Sequence, residues 1–210
     1  MDPKNQFETE QESFWAGKFG TDYILRNQGS ALLASNLNFF SEALRGARGI
    51  KSCIEFGANI GMNLKALNLL NPGIDAHGVE INADAAKQLG EQIPTANVYH
   101  TSIIDFEPQQ SWDLALIKGV LIHINPDALL KTYDKLVEAS SRYLLVAEYY
   151  NPVPVAIPYR GHSDKLFKRD FAGEIMDRHT QMHLIDYGFA YRRDPNFPQD
   201  DITWFLMEKC

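Results

Sequence analysis

The chain has 210 residues, 45% of them apolar and 22% charged, which suits one globular domain with at most a short appendage. Its 20 Lys and Arg against 27 Asp and Glu leave a formal charge of −7, a field that repels phosphate backbones and anionic headgroups and so disfavours a nucleic-acid or membrane surface. With two cysteines, Cys53 in an apolar run and Cys210 at the end, neither a disulfide framework nor a cysteine-based zinc site is available; no metal is expected, and a reducing, cytoplasmic setting is.

The first residues are polar, with Glu8, Glu10 and Glu12, the wrong chemistry for a secretory or organellar leader. Residues 14–27 (FWAGKFGTDYILRN) are too aromatic for a disordered tail and suit either a lid over a ligand or a helix-packing arm. Leu33, Leu37, Phe40 and Leu44 lie on one helical face, predicting a helix over 30–46 that Gly46 ends. Residues 1–48 therefore form a predicted helical cap, and 49–210 the main domain. A strand over 53–56, a glycine turn and a helix over 62–70 follow, stopped by Asn71-Pro72-Gly73. Then come a strand over 76–81, a helix over 84–92 and strands over 97–101 and 112–118. The apolar run 114–124 is interrupted by Lys118 and His123 and is too short to cross a bilayer. Asn125-Pro126-Asp127 opens a helix to about Ser140, with a capping side chain, proline at the first position and an acid in the first turn. The near-continuous apolar strand 142–150 implies helices on both sheet faces. Alternating strands and helices give an α/β fold with a doubly wound, mostly parallel sheet. Two strand-like runs, 187–193 and 202–208, are joined by a loop without a helix, so they pair antiparallel.

A mostly parallel sheet ending in such a hairpin resembles the Rossmann-like, class I methyltransferases that use S-adenosylmethionine, which implies a seven-stranded sheet. Residues 54–63 read IEFGANIGMN. Glycines at a strand's carboxyl edge let backbone approach a ligand, and the next helix offers unpaired N–H donors. A dinucleotide site wants G-x-G-x-x-G, but Asn59 replaces the middle glycine and the third is missing, which weakens a nicotinamide or flavin reading. The turn is instead similar to the methyltransferase pattern E-x-G-x-x-x-G, carried by Glu55, Gly57 and Gly61. That similarity implies that Glu55 helps place the cofactor's amino-acid portion. Glu80, 80 − 57 = 23 residues after Gly57, closes the next strand, where a carboxylate accepts both ribose hydroxyls; the bland alternative is a tight turn and a solvated strand end. Ser102 and Ile103 stand where such enzymes contact adenine, and Asn59 and Ile81 complete that side of the crevice.

Chemistry in open α/β sheets sits above the strands' carboxyl ends. The fourth strand brings Lys118 and Gly119 there, Gly119 leaving room for a sulfonium methyl, and His123 follows as a candidate base or a backbone-bonded core histidine. Tyr149 and His162 are further catalytic candidates. Tyr23 or Arg26 would reach the cofactor's carboxylate from the arm. Around Tyr150 and Tyr159, the residues Arg160, Lys165, Lys168 and Arg169 reverse the chain's sign, which suits an anionic acceptor or, equally, a solvated face paired with Asp164, Asp170 and Glu174.

Residues 14–27, 118–126 (KGVLIHINP) and 158–174 (PYRGHSDKLFKRDFAGE) resemble the pseudaminic acid biosynthesis-associated methylase family over nearly the whole chain. The resemblance implies a cytoplasmic, S-adenosylmethionine-dependent methyltransferase of nonulosonic acid or surface-glycan synthesis, and leaves open which atom receives the methyl; with the basic stretch, the expectation is transfer to an oxygen or nitrogen of a small anionic sugar or nucleotide sugar by a monomer or homodimer. The alternatives are an NAD-dependent sugar-nucleotide oxidoreductase and a non-catalytic S-adenosylmethionine-binding protein.

Overall fold

Residues 7–161 and 165–210 are described by the computed structural model; His162, with Ser163 and Asp164, lies outside them. The chain opens with two short helices, α1 (Glu10–Ala16) and α2 (Lys18–Ile24), hinged at Gly17. A reciprocal cap starts α1: Thr9 Oγ1 accepts from the Glu12 N–H and Glu12 Oε2 accepts from the Thr9 N–H. Helix α3 (Ser30–Ala43) follows, then β1 (Ser52–Phe56), α4 (Met62–Leu70), β2 (Asp75–Glu80), α5 (Ala83–Gln92), β3 (Asn97–His100) and β4 (Trp112–Lys118). After two 3-10 turns, Leu121–His123 and Pro126–Ala128, come α6 (Leu129–Ala139), β5 (Ser140–Glu148), the two-residue strands β6 (Val155–Ala156) and β7 (Phe167–Lys168), α7 (Phe171–Arg178), β8 (Met182–Ala190) and β9 (Ile202–Lys209).

The main sheet has seven strands in the order β3-β2-β1-β4-β5-β9-β8. Five are parallel; β9 runs antiparallel between β5 and β8. Both faces are covered. Ile54, Phe56, Ile117 and Val146 pack with Leu129 and Leu136 of α6 and Ile175 of α7, whereas Cys53, Leu116 and Leu145 pack with Phe40 of α3, Leu64 of α4 and Leu89 of α5. Successive residues of one strand thus enter opposite cores, which is why the central strands read as unbroken apolar runs.

Three boundaries differ from expectation. Phe39, Phe40 and Ala43 are buried in the second core, so α3 belongs to the sheet's flank and the arm ends before Gly29. Strand β8 begins at Met182, ahead of the expected 187, because a register shift between Leu184 and Asp186 on this half-exposed edge breaks the period-two pattern. Helix α7, unanticipated as an element, is started by Asp170, whose side chain accepts from the Gly173 N–H at 2.9 Å. No helix among the described residues is long and apolar enough to cross a membrane.

Candidate functional site

A cavity of about 430 Å³ opens above the carboxyl ends of β1, β2 and β4, roofed by the α1–α2 arm and flanked by the β8–β9 loop. Its size is that of a small-molecule site. Of the cofactor set read from the sequence, Tyr23, Arg26, Gly57, Asn59, Glu80, Ile81, Ser102, Ile103, Lys118 and Gly119 all line it, as does His123. Glu55 and Gly61 do not.

The turn after β1 is shaped by close approach. Gly57 has φ +76°, and a Cβ there would stand 2.6 Å from Val120 Cγ2. Its N–H, like that of Ala58, donates to the Val79 carbonyl, at 2.8 and 3.0 Å, tying the turn to β2. Gly61, φ +83°, starts α4 and faces Leu89 and Ile93, so it serves packing and not the cavity. Asn59 also takes a positive φ, +46°, and its Oδ1 accepts from the Ile60 N–H at 2.7 Å.

Glu80 closes β2. Its Oε2 accepts from the Asn59 N–H and its Oε1 from the Asn82 N–H, both at 2.7 Å, so the carboxylate is locked in orientation while it lines the cavity. Burial pushes its carboxyl above the usual range against the pull of those N–H donors. Asn82, which the sequence did not single out, caps α5 through Oδ1. Its Nδ2 faces the carbonyls of Trp15, Ala16 and Gly17 and the Thr21 hydroxyl at 3.2–3.3 Å, fastening the arm beside Glu80.

Glu55 corrects the expectation placed on it. It sits inside β1 on the face toward α3 and α4, not at the strand tip, and is 1% exposed. Asn63 Nδ2 donates to Oε1 at 2.6 Å, Oε2 has no partner, and burial pushes the carboxyl up to about 8. Lys118 shares that side, its ammonium 5.3 Å from the centre of the Phe39 ring. Burial lowers its pKa against the opposing fields of Glu55, Asp200 and Glu148.

Beyond Gly119 the chain is held by Glu148, another residue the sequence reading missed: its Oε1 accepts from the Val120 and Leu121 N–H groups, each at 2.9 Å, and burial raises its carboxyl to about 7. A lone acid at the end of the apolar run 142–150 was the available signal. The turn so fixed carries His123, whose Nδ1 lies 2.6 Å from the Lys165 carbonyl. A carbonyl only accepts, so Nδ1 bears the proton and Nε2 keeps its lone pair. Burial pulls the imidazole down to about 4, holding it neutral. The rings of Trp15 and Tyr159 pack on it at 4.7 and 5.1 Å.

The predicted basic acceptor patch is not assembled at the cavity. Lys165 is buried and pairs with Glu10 at 3.4 Å, and Arg169 pairs with Glu174 at 2.8 Å. Lys168 lies over the Tyr149 ring and Arg160 over Tyr159, at 5.1 and 5.5 Å. Tyr150 packs on Phe205 at 6.0 Å, away from the cavity. Tyr149 also stands outside the cavity wall; burial, with the neighbouring charge of Asp200, raises its phenol pKa. His162 lies outside the described residues. Ser102 does line the cavity, but its hydroxyl donates to Glu12 Oε1 of the arm. Glu12, Asp200 and Arg192 are cavity residues no local motif announced. Among the described residues no group of three His, Cys, Asp or Glu could hold a metal ion.

Neither a protein-family model nor a curated protein sequence matches the chain. Solved structures do match, over nearly its full length. Magnesium protoporphyrin IX methyltransferase from Synechocystis PCC 6803, with bound S-adenosylmethionine, superposes with TM-score 0.69 at 12% identity, covering 96% of this chain and 98% of that one. The 1,6-didemethyltoxoflavin-N1-methyltransferase of Burkholderia thailandensis, with bound 1,6-didemethyltoxoflavin and S-adenosylhomocysteine, gives TM-score 0.69 at 13% identity over 94% and 86% of the two chains. The fold is thus the Rossmann-like fold of S-adenosylmethionine-dependent methyltransferases, with the seven-stranded sheet and antiparallel C-terminal strands expected of it.

Proposed function

We propose that the protein is a cytoplasmic S-adenosylmethionine-dependent methyltransferase acting on an oxygen or nitrogen of a small anionic sugar or nucleotide sugar. The observation that carries the cofactor reading is Glu80: a carboxylate at the tip of β2, oriented by two backbone N–H groups and facing a cavity of about 430 Å³. Its remaining lone pairs suit the two hydroxyls of a ribose. Gly119 supports the fit, since nothing lies within 4 Å of where a Cβ would stand at its φ of +67°. Arg26 and Lys118 supply cationic groups for an amino-acid carboxylate, with Tyr23 beside them on the wall. Bound there, S-adenosylmethionine supplies an electrophilic methyl group on a positively charged sulfur.

His123 is the base of this proposal. With Nδ1–H committed to the Lys165 carbonyl, Nε2 takes the proton from the acceptor's hydroxyl or amine. Residues 7–27 act as a lid, with Trp15 over His123 excluding water from the reacting groups. The sugar-acid acceptor of nonulosonic acid or surface-glycan synthesis is supported by the resemblance of 118–126 and 158–174, and by Arg192 as a cation on the cavity wall.

Titration calorimetry with S-adenosylhomocysteine tests the cofactor reading. The wild type is expected to bind at micromolar level and Glu80→Ala about 10- to 100-fold more weakly, the loss of charge-assisted hydrogen bonds; no binding by the wild type refutes it. Mass spectrometry of small-molecule extracts incubated with methyl-labelled cofactor then looks for the labelled acceptor, and heat of binding without label in any product identifies a binder without transfer. A titration with NADH separates the oxidoreductase alternative.

A further inference from the structure

Far from the cavity, one edge of the main sheet is left open. Strand β8 pairs with β9 on one side, and among the described residues no strand lies on its other side. Folds shield such an edge with lysine, proline, short length or a covering segment. Strand β8 is nine residues long with no Lys, Arg or Pro, and its register shift falls before Asp186, which leaves 186–190 regular. The two faces of that stretch differ. Asp186 and Gly188 pair with Leu206 and Trp204 toward the core shared with α3; there Arg45 holds Asp186 at 2.9 Å, and a Cβ on residue 188 would stand 2.5 Å from the Trp204 ring. Tyr187 and Phe189 point the other way. Of β8 only Met182 is buried, in the core shared with α7, while Tyr187 and Phe189 stay 64 and 59% exposed. They belong to a row of rings without a charged member: Tyr150 to Phe205 to Tyr187 with centres 6.0 and 6.4 Å apart, and Phe189 to Tyr191 at 6.1 Å.

We infer that two copies of the chain join at this edge, β8 against β8 in antiparallel pairing about a two-fold axis at Gly188, so that the two seven-stranded sheets run into one another. Such a pairing is self-complementary and closes the edge instead of propagating it. With the axis at Gly188, Tyr187 stands opposite Phe189 of the second copy, and Phe189 opposite its Tyr187, giving two cross-strand aromatic pairs on the exposed face. The opposite face needs no rearrangement, since Asp186 keeps Arg45 and Gly188 keeps Trp204. At their exposures Tyr187, Phe189 and Tyr191 offer about 100 Å² each. With Leu184 and Ile185, 41 and 40% exposed, two copies together bring about 1,000 Å², the lower bound for a specific interface, so the dimer is a reversible one. A nucleic acid or an anionic membrane suits this face less, because the chain's net charge of −7 repels both.

Sedimentation velocity of the full chain tests this. From about 1 to 200 µM the wild type is expected to show a reversible monomer–dimer equilibrium, which Tyr187→Glu/Phe189→Glu should weaken at least about tenfold. Leu69→Glu, at an exposed apolar position on α4, should leave it unchanged, with circular dichroism checking that each variant is folded. A cross-link then reads the register and does not depend on the glutamate variants folding. In a Cys210→Ser background, which removes the exposed native thiol, Tyr187→Cys mixed with Phe189→Cys should form an intermolecular disulfide on mild oxidation. Either cysteine variant alone should form at least about tenfold less, because like positions then lie two residues apart along the paired strands, beyond the roughly 7 Å that a disulfide spans. A wild type that stays monomeric throughout the range overturns the inference and leaves the row of rings to a different protein. So does a dimer that survives both glutamates or that Leu69→Glu dissolves as readily, and so does cross-linking that is indifferent to mixing.

Discussion

Replacing Gly57 by Ala perturbs the cavity-lining turn after β1 in two separable ways. The first is conformational: at φ +76° a residue with a Cβ sits in the left-handed region, which costs about 1–2 kcal/mol. The second is steric, since the new methyl would stand 2.6 Å from Val120 Cγ2 and 3.2 Å from Val120 Cγ1. Valine is branched at Cβ and stiff at χ1, and Glu148 pins its backbone N–H, so the clash is relieved only by strain of about 1–3 kcal/mol. Together Gly57→Ala should lose about 2–5 kcal/mol, a large part of a typical domain stability of about 5–15 kcal/mol. The double variant with Val120→Ala removes the steric part alone, so a denaturant-unfolding cycle should return a coupling of about 1–3 kcal/mol, leaving about 1–2 kcal/mol for the dihedral. A loss below about 1 kcal/mol in the single variant, or no coupling to Val120, refutes the account of why this turn needs glycine.

Two further predictions concern buried ionisable groups. His123 is depressed from its usual 6.5 to about 4, so an unfolded chain takes up a proton below 6.5 that the native protein refuses until about 4. Its neutral form therefore favours folding above 6.5, and that contribution, up to about 3 kcal/mol, is lost as pH falls through this window. His123→Ala should lower turnover about 10²- to 10⁴-fold with little change in S-adenosylhomocysteine affinity, and a wild-type rate profile with an acid limb near 6.5 would contradict the assigned state. Glu55 has the opposite sign: raised to about 8, it stays protonated in the fold while the unfolded chain ionises above 4.5, so stability declines as pH rises from 4.5 to 8. In Glu55→Gln, unfolding midpoints across that range should lose this slope; an unchanged slope assigns it to another group.

The central strands are legible because burial on both faces leaves short, near-continuous apolar runs, which their length and the flanking Gly and Pro turns separate from buried helix. Glu80 was legible for a related reason, as the first acid after such a run marks a strand tip. Glu55 misled because it belongs to the same apolar run: β1 alternates Cys53 and Glu55 toward one core, Ile54 and Phe56 toward the other, so its side chain leaves the sheet's face before the tip is reached. The charges of 159–169 have local partners at helical spacing, and Glu174 does hold Arg169, but Lys165 pairs with Glu10, 155 residues away. Glu12 was hidden twice, since Thr9-x-x-Glu12 is a complete local motif and its second partner, Ser102, is 90 residues distant. Pairings of that separation leave no periodic signature.

Asn82 gives the arm a particular mechanical character. One amide nitrogen with two hydrogens confronts four acceptors at 3.2–3.3 Å, so no single bond is strong, and sliding from one acceptor to the next costs little. Such a fastening has the geometry of a latch rather than a rivet: the contacts to the arm are made by Nδ2 and the cap of α5 by Oδ1, so the two are separate ends of one side chain. A single codon beside Glu80 is thereby the natural place to retune how firmly the arm is held over the cavity, leaving the scaffold beneath untouched.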